Sequence, residues 1–447
     1  MPLNAVDEAV VGILGNIPVS GDPHIAQSRC TFNPPTDGWI PLMPSTSYAA
    51  EEQHYEGNVL TRPKTSKRAC VEKAADATRN LGAISEAQNE ILNQYYKKKM
   101  EHMDTIIALE EEKFRLKPFT CAAIAINGFG RIGKCLLRLA MEKDINVVAI
   151  NQPFFDNEQI ARSFQNDTVH GPYDGKIDVQ DKCLVINGKT INVFHETKLE
   201  DIKWKDVSAS YVLEASGKFT TVELAKKHIS AGAKKVVITT PSKDAPMFVK
   251  GVNFDNYCKS MEVVSNASCT TNCAAPLIKI LHDKFCVKSG LLTTVHALTA
   301  SQTILDALKN RSGPGNAVPS TTGAAKAVGI VIPELLGKIQ GDAVRVPTLD
   351  VSLLKLFVNV KKDASVDEIK KEIVDQAEGC MSNVVYYNEG RNVSADYVGC
   401  QFSAIVDFNQ INVIDKFITI GAWYDNEMGY ASRVLDLVRH MIEKDGQ

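Results

Sequence analysis

A chain of 447 residues with 44% hydrophobic and 23% charged residues folds into packed cores over most of its length, two or three by size, which excludes disorder throughout. A formal charge of −3 creates no large single-sign field, so neither nucleic acid nor a membrane surface is an expected partner. No apolar run approaches the length that crosses a bilayer, and the first twenty residues carry Asp7 and Glu8 but no lysine or arginine, so no membrane insertion, signal peptide or transit peptide is expected and the chain reads as cytoplasmic.

The first sixty-odd residues have scattered prolines and small polar residues, as from Phe32 to Tyr48, and no sustained period, which reads as a disordered tail. From Arg68 to Lys117 glycine and proline nearly vanish, and Leu92, Tyr96, Met100, Met103 and Ile107 recur at steps of four and three. That spacing predicts an amphipathic helix, with Ser85 and Gln88 as a capping box and Pro118 as a stop. Its Lys97–Lys99 and Glu110–Glu112 runs read as solvated faces. The apolar stripe can pack on the body of the protein, pair with itself, or bind a protein partner. No cluster of catalytic residue types stands before Pro118.

After Phe119 the pattern becomes strand, glycine turn, helix, strand, the alternation of an α/β domain with a parallel sheet. Ala122–Ile126, Val147–Ile150, Tyr211–Leu213 and Lys235–Thr239 read as its strands. Beyond Ser268 come a helix and longer strands, among them Leu291–Ala297, Val351–Val360, Phe402–Asp407 and Phe417–Tyr424, which predict a second domain with a mixed sheet.

Gly128, Gly130 and Gly133 form G-x-G-x-x-G between the strand Ala122–Ile126 and the helical run Lys134–Met141. In that setting the first glycine allows a tight turn, the second lets a diphosphate approach the backbone, and the third lets helix and strand pack closely. Helix-start amides such as those of Arg131 and Ile132 then face the anion. The second strand of such a unit usually ends in a carboxylate that bonds the ribose, but Asn151, Gln152 and Pro153 stand here. A neutral Gln152 bonds a hydroxyl without repelling a 2′-phosphate, so NAD is expected and NADP is admitted.

Ser265–Asn272 reads S-N-A-S-C-T-T-N, and Cys269 falls where a strand gives way to the helical run Thr270–Lys284. Amides at a helix start favour a thiolate over a thiol, which makes Cys269 a candidate nucleophile. The hydroxyls of Ser268, Thr270 and Thr271 can cap that helix or meet an anion. The 11 cysteines show no ligand-pair spacing, and Cys269 and Cys273 lack His or Cys neighbours, so neither a disulfide framework nor a metal site is expected. His296 lies in the strand Leu291–Ala297, where alone it reads as a core histidine.

Asn266–Asn272 with Pro276, and Thr293–Ala297, resemble the signature of the phosphorylating glyceraldehyde-3-phosphate dehydrogenases. I-N-G-F-G-R-I-G at Ile126–Gly133, T-G-A-A-K-A-V-G at Thr322–Gly329, R-V-P-T at Arg345–Thr348 and W-Y-D-N-E-M-G-Y at Trp423–Tyr430 extend the resemblance from Ala122 to the C-terminus. It implies a Rossmann dinucleotide-binding domain (119–267, completed by a C-terminal helix 427–447) and a mixed α+β catalytic domain (268–426), with residues 1–118 as an added extension. It implies a cytoplasmic homotetramer that converts glyceraldehyde 3-phosphate and inorganic phosphate to 1,3-bisphosphoglycerate in glycolysis and gluconeogenesis. Cys269 is then the nucleophile that forms a thioester, and His296 its base. Thr299 and Arg345 match substrate-phosphate residues, and Ser268, Thr270, Thr322 and Gly323 match the inorganic-phosphate loop. Asn426 matches the residue that holds the nicotinamide carboxamide, and Phe154 and Ser216 fall in the adenosine and nicotinamide loops.

Between Ser301 and Thr322 the chain is several residues shorter than the family loop that lines a neighbouring subunit's cofactor pocket, and Arg311 is the candidate there for a supporting phosphate arginine. Ala307 and Leu308 also replace a Leu-Pro pair of NAD-preferring members. Two alternatives stand beside the enzyme reading: a scaffold tethered by its extension with reduced activity, and a dehydrogenase of erythrose 4-phosphate.

Overall fold

The computed structural model describes residues 122–308 and 310–446. The polar tail and amphipathic helix expected in the first 118 residues lie outside the described residues.

Strands buried on both faces read as short unbroken runs of Val and Ile, because helices cover both sides of a parallel sheet. The first sheet has this character. Its strands are β1 (Ile124–Asn127), β2 (Val147–Asn151), β3 (Ile177–Val179), β4 (Cys183–Ile186), β5 (Lys189–Phe194), β6 (Tyr211–Glu214), β7 (Lys235–Ile238) and β8 (Val263–Ser265). They lie in the order β3-β4-β5-β2-β1-β6-β7-β8, and from β5 to β8 every pairing is parallel. The chain runs outward from β1 in both directions, the doubly wound Rossmann arrangement, with its switch point between β1 and β6. β1, β2, β6 and β7 fall within two residues of the strands read from sequence. The hairpin from β4 to β5 was not expected, although Asn187 and Gly188, both at positive φ (49° and 81°), are the residues such a two-residue turn demands.

Six helices among the described residues are eight residues or longer: α1 (Arg131–Glu142), α2 (Asn157–Gln165), α3 (Cys269–Phe285), α4 (Ala324–Val331), α5 (Val366–Glu378) and α6 (Met428–Asp445). The second sheet comprises β9 (Val287–His296), β10 (Val318–Thr321), β11 (Ile339–Arg345), β12 (Ser352–Val360), β13 (Val385–Asn388), β14 (Ala404–Ile414) and β15 (Phe417–Tyr424). Their order is β10-β11-β9-β12-β15-β14-β13, with parallel and antiparallel pairs mixed. Along β12 buried and less buried residues alternate, so one face packs. There Leu354, Leu356 and Val358 meet Leu277 and Leu281 of α3, Val328 of α4 and Ile369 of α5 in one core. Each such side chain contributes roughly 1.5–3 kcal/mol by leaving water.

Register decides what gathers at the end of this sheet. Arg345 closes β11 opposite His296 at the end of β9, and Ser352 opens β12 opposite Tyr424 at the end of β15. Four chemically distinct side chains therefore share one edge. The last helix returns to the first sheet: Val434, Leu437, Val438 and Met441 of α6 share a core with Leu136, Leu137 and Ala140 of α1. Asp445 near its end accepts hydrogen bonds from the hydroxyls of Tyr211 (2.8 Å) and Tyr257 (2.9 Å).

Where the two sheets meet, a polar cluster is buried. Arg131 donates to Glu427 through Nε (2.9 Å) and is ion-paired to Asp167, which also meets Lys134 at 3.0 Å. Burial alone would raise the Asp167 carboxyl, but the His170 amide, Arg131 and Lys134 outweigh it and hold the group far below the usual range. His170 Nε2 lies 3.1 Å from Glu427 and 3.6 Å from Asp350. Asp425 accepts backbone hydrogen bonds from Glu427, Met428 and Gly399, so it caps the start of α6. Asp350 has no such donors on either oxygen. Ligand atoms of His170, Asp350 and Asp425 lie within 4.8 Å of one another, a convergence of three distant segments that linear spacing does not reveal.

Burial, and then the facing charges of Asp425 and Glu427, push the Asp350 carboxyl well above its ordinary range. Of the two facing carboxyls, Asp350 is the one these forces drive toward its protonated form. A carboxyl whose native pKa is raised binds its proton more tightly folded than unfolded. The resulting stability is full below the unfolded value of about 3.9 and is lost as pH climbs toward the raised native value. Asp350→Asn cannot ionise and can still donate to Asp425. It should flatten the fall of Tm between about pH 5 and pH 9 and raise Tm at the alkaline end by at least ~2 °C. Equal slopes of Tm against pH in both proteins would show that no such proton is held.

Candidate active site

The three glycines of the turn after β1 do three different things. Gly128 has φ +93°, and a Cβ there would lie 2.6 Å from the Ser216 nitrogen. A Cβ on Gly133 would lie 2.2 Å from the Gly128 oxygen, so helix and turn touch through it. A Cβ on Gly130 would meet nothing within 4 Å. Gly130 caps α1 without a side chain, and no acidic residue stands in the first turn. The opening amides of α1, Arg131 and Ile132 among them, lack intrahelical partners and sit at the positive end of the helix beside this open space. A diphosphate fits such a site. The Arg131 side chain is turned away, into its ion pairs with Glu427 and Asp167.

Gln152 at the tip of β2 accepts the Phe129 amide through Oε1 (2.7 Å) and donates to the Pro153 carbonyl (3.1 Å). Its amide braces the glycine turn and keeps only part of its bonding capacity for a ribose. Phe154 follows at φ +70° and is 80% exposed, an aromatic face held outward.

Across the switch point, sequence reading missed a residue. Glu214, at the end of β6, is fully buried and accepts from Asn127 (2.6 Å), from the Ser216 amide (2.9 Å), and from the Ser216 hydroxyl. His228 Nε2 lies 2.8 Å from it, and His228 Nδ1 accepts from the Trp204 indole at 3.0 Å, so Nε2 carries the hydrogen and donates to Glu214. Asn127 in turn accepts from Asn151 (2.8 Å). One buried carboxylate thus ties the ends of β1, β2 and β6 together and fixes the Ser216 loop. The signal available was an acidic residue closing an otherwise apolar strand.

The turn into α3 is built on strain. Ala267 is a buried non-glycine residue at φ +53°, held by Ser265 Oγ on its amide (3.1 Å) and the Tyr430 hydroxyl on its carbonyl (3.0 Å). Ser268 then caps the helix by accepting the Thr271 amide at 3.0 Å. Cys269 is the first residue of α3, and its Sγ lies 3.5 Å from His296 Nε2. Burial pushes the Cys269 thiol up, and the Thr270 hydroxyl and amide and the Arg345 charge oppose this only in part, so the net shift is upward where helix position alone predicted a lowered value. That corrects the expectation drawn from helix position alone. Burial, and then the Arg345 charge, bring His296 down to about 4, so it is neutral at physiological pH.

Around this pair the expected residues divide. Arg345 Nη1 lies 2.5 Å from His296 Nδ1. The Thr270 hydroxyl meets the Tyr424 hydroxyl (2.9 Å), which continues to Thr294 (2.7 Å), and it also bonds the Cys269 thiol, so it is held at the nucleophile and in the core beneath it. Thr299 is exposed and bonded to Gln302 and Ser301. Thr322 accepts the Ala324 amide (3.2 Å) at the start of α4, whose cap is Gly323. Arg311 is paired with Asp306 at 2.8 Å within its own loop and does not approach His296. Asn426 is buried, and its Oδ1 accepts from Ser352 Oγ (2.7 Å), which itself accepts the Ala297 amide (3.0 Å). With its Oδ1 taken by Ser352 Oγ, Asn426 keeps its NH2 group for another acceptor.

Two family models match the chain: the NAD binding domain of glyceraldehyde 3-phosphate dehydrogenase over residues 122–222, and the C-terminal domain of the same enzyme over residues 268–426. The chain is 48% identical over 329 residues to the glyceraldehyde-3-phosphate dehydrogenase of Glossina morsitans morsitans, and 49% identical over 330 residues to that of Phytophthora infestans; each alignment covers 72% of this chain and 99% of the relative. The chain belongs to the glyceraldehyde-3-phosphate dehydrogenase family. A cytosolic member from Gracilaria gracilis is 48% identical over 332 residues. The family match contains the glycine turn in its first part and both Cys269 and His296 in its second. Residues before 122 lie outside both matches.

The glycine geometry separates folding from binding. Gly128→Ala and Gly133→Ala should each destabilise by roughly 1–3 kcal/mol, read as a lower Tm, because backbone must move. Gly130→Ala should leave Tm in place and weaken NAD binding by about tenfold or more in calorimetry, because its methyl group fills the space a diphosphate needs. Unchanged NAD affinity in Gly130→Ala would remove this turn from the cofactor site.

Proposed function

We propose that this member of the family oxidises D-glyceraldehyde 3-phosphate and captures inorganic phosphate to give 1,3-bisphosphoglycerate, with NAD as the oxidant, as a step of glycolysis and gluconeogenesis. The observation that carries the reading is the Cys269 thiol at the start of α3 facing His296 Nε2 at 3.5 Å, in a chain that keeps the fold and both matched parts of the family. NAD, when bound, supplies the hydride acceptor. The glycine turn, Ser216 and Asn426 would hold it.

The chain's own residues do the rest. The Cys269 sulfur adds to the aldehyde carbon while His296 takes the thiol proton, giving a hemithioacetal. His296 returns that proton to the new alkoxide oxygen, completing the hemithioacetal, and takes it back as the carbon loses hydride, which leaves a thioester on Cys269 and the proton on His296. An oxygen of inorganic phosphate attacks the thioester carbon, the C–S bond breaks, and the thiolate leaves to be reprotonated. Burial pushes the Cys269 thiol up, and His296 Nε2, 3.5 Å from the sulfur, stands where it can take the proton as the sulfur attacks. The Cys269 amide at the helix start offers a donor for the developing oxyanion. Arg345, with no carboxylate partner among the described residues, suits the substrate phosphate.

Three finer points belong to the same proposal. Use of NADP beside NAD is supported by the absence of a carboxylate at the tip of β2. Assembly into a homotetramer is supported by the family membership and by the exposed apolar side chains Ile304, Leu305 and Leu308, even though the loop that carries them is shorter than the family's. Residence in the cytoplasm is supported by the cytosolic relative, and no described helix is long and apolar enough to cross a membrane. Residues 1–118 carry no matched motif, and we assign them to a protein partner.

Cys269→Ser should abolish the NADH burst, and iodoacetate should label Cys269 while sparing the fully buried Cys273. A serine variant with near-normal turnover would refute the assignment. Gln152→Glu keeps the acceptor for Phe129 and adds a charge. It should shift the ratio of kcat/KM toward NAD over NADP by about 1–3 kcal/mol. An unmoved ratio would take Gln152 out of cofactor choice.

A further inference from the structure

We propose that Arg345 is a lock on His296 that the phosphate group of the substrate opens. The proposal rests on the assignment of Cys269 and His296 above and goes beyond it. Arg345 Nη1 lies 2.5 Å from His296 Nδ1 and 3.2 Å from the Ala297 carbonyl. A guanidinium only donates, so Nδ1 accepts in this arrangement, and the single hydrogen of a neutral imidazole sits on Nε2. Nε2 is the nitrogen that faces the Cys269 sulfur. Carrying a hydrogen, it cannot take the thiol proton.

The working tautomer is also written into the site. His296 Nδ1 lies 2.8 Å from the Ala297 carbonyl, an acceptor that would fix the hydrogen on Nδ1 and leave the Nε2 lone pair toward the thiol. Arg345 stands in the way of it. The charged and titratable groups facing His296 are Cys269 from α3, Arg345 from β11 and Tyr424 from β15, whose ring centre is 6.0 Å away. Among the described residues no carboxylate forms an ion pair with Arg345, and its buried Nε has no hydrogen-bond partner. The guanidinium is a cation resting on a neutral ring.

A phosphate dianion offers Arg345 charge-assisted, two-pronged bonds that a neutral imidazole cannot match. When Arg345 turns to it, one proton moves from Nε2 to Nδ1 through solvent, Nδ1–H donates a hydrogen bond to the Ala297 carbonyl, and the freed Nε2 lone pair makes His296 a base. Nothing is oxidised or reduced in that exchange. Binding energy from the non-reacting end of the substrate is then used to switch on the reacting end.

The test is the NADH burst with D-glyceraldehyde, which lacks the phosphate, measured without inorganic phosphate and with or without phosphite dianion. In the wild type the burst should be slow and should accelerate by at least about tenfold on adding phosphite. Arg345→Ala and Arg345→Met should be several-fold faster than the wild type on D-glyceraldehyde alone, indifferent to phosphite, and much slower on glyceraldehyde 3-phosphate. A residue that merely bound the phosphate would leave the rate on D-glyceraldehyde unchanged when removed. The lock is overturned if both variants match or fall below the wild type on D-glyceraldehyde, or if phosphite fails to accelerate the wild type. A wild type without any burst on glyceraldehyde 3-phosphate would instead overturn the catalytic assignment itself.

Discussion

The register between β9 and β11 is the constraint on which the catalytic edge depends. Parallel pairing sets Arg345 directly beside His296, and the neighbouring antiparallel pairs bring Ser352 and Tyr424 to the same edge. Because side chains alternate faces along a strand, a slip of one residue would turn His296 away from Cys269 and into the opposite layer. What prevents the slip is the core on the face that His296 shares, where Leu292, Leu354, Leu356 and Val358 are buried against α3 and its neighbours. Apolar packing on one side of the sheet thus fixes a polar geometry at its end.

Two buried carboxylates carry the same principle into the joints of the molecule. Glu214 gathers donors from β1, the Ser216 loop and His228 at the switch point of the first sheet, and Asp425 gathers three backbone amides at the head of α6. A buried charge is costly unless its acceptors are filled, so each demands one arrangement of the segments around it. Asp350 is the exception: neither of its oxygens has a hydrogen-bond partner, and burial beside Asp425 and Glu427 drives its carboxyl toward the protonated form. Val351 beside it is a β-branched residue at φ +63°, a costly conformation that presents Asp350 to Asp425 and Ser352 to Asn426 on consecutive turns of the chain.

How far the linear order discloses this varies with the kind of residue. Strands buried on both faces announce themselves, as Ile124–Asn127 and Tyr211–Glu214 do, and the glycine turn is legible because each glycine answers a steric demand. The Phe417–Tyr424 strand is read to the residue. Short edge strands such as Ile177–Val179 leave no periodic trace. Side-chain direction is harder still: Thr270 sits beside Cys269 in the chain, yet its hydroxyl turns inward to Tyr424, a contact across 154 positions. Glu214, Asp350 and Ser352 went unread because a polar residue at a strand end looks like the beginning of a loop. Only the packed structure reveals that these strand ends are buried.

The return of the last helix to the first sheet has a consequence for how the chain is made. α1 emerges early, but the apolar face it shows to Val434, Leu437 and Met441 stays uncovered until α6 is synthesised roughly 300 residues later. At the pace of translation that interval lasts about 15–60 s. During it the nascent Rossmann sheet exposes a sticky flank, and the edge strands of the second sheet are being added nearby. Ribosome-associated chaperones that shield apolar helices would therefore be expected to dwell on this chain between the appearance of α1 and release, and a slowly translated stretch just before α6 would lengthen the period of risk.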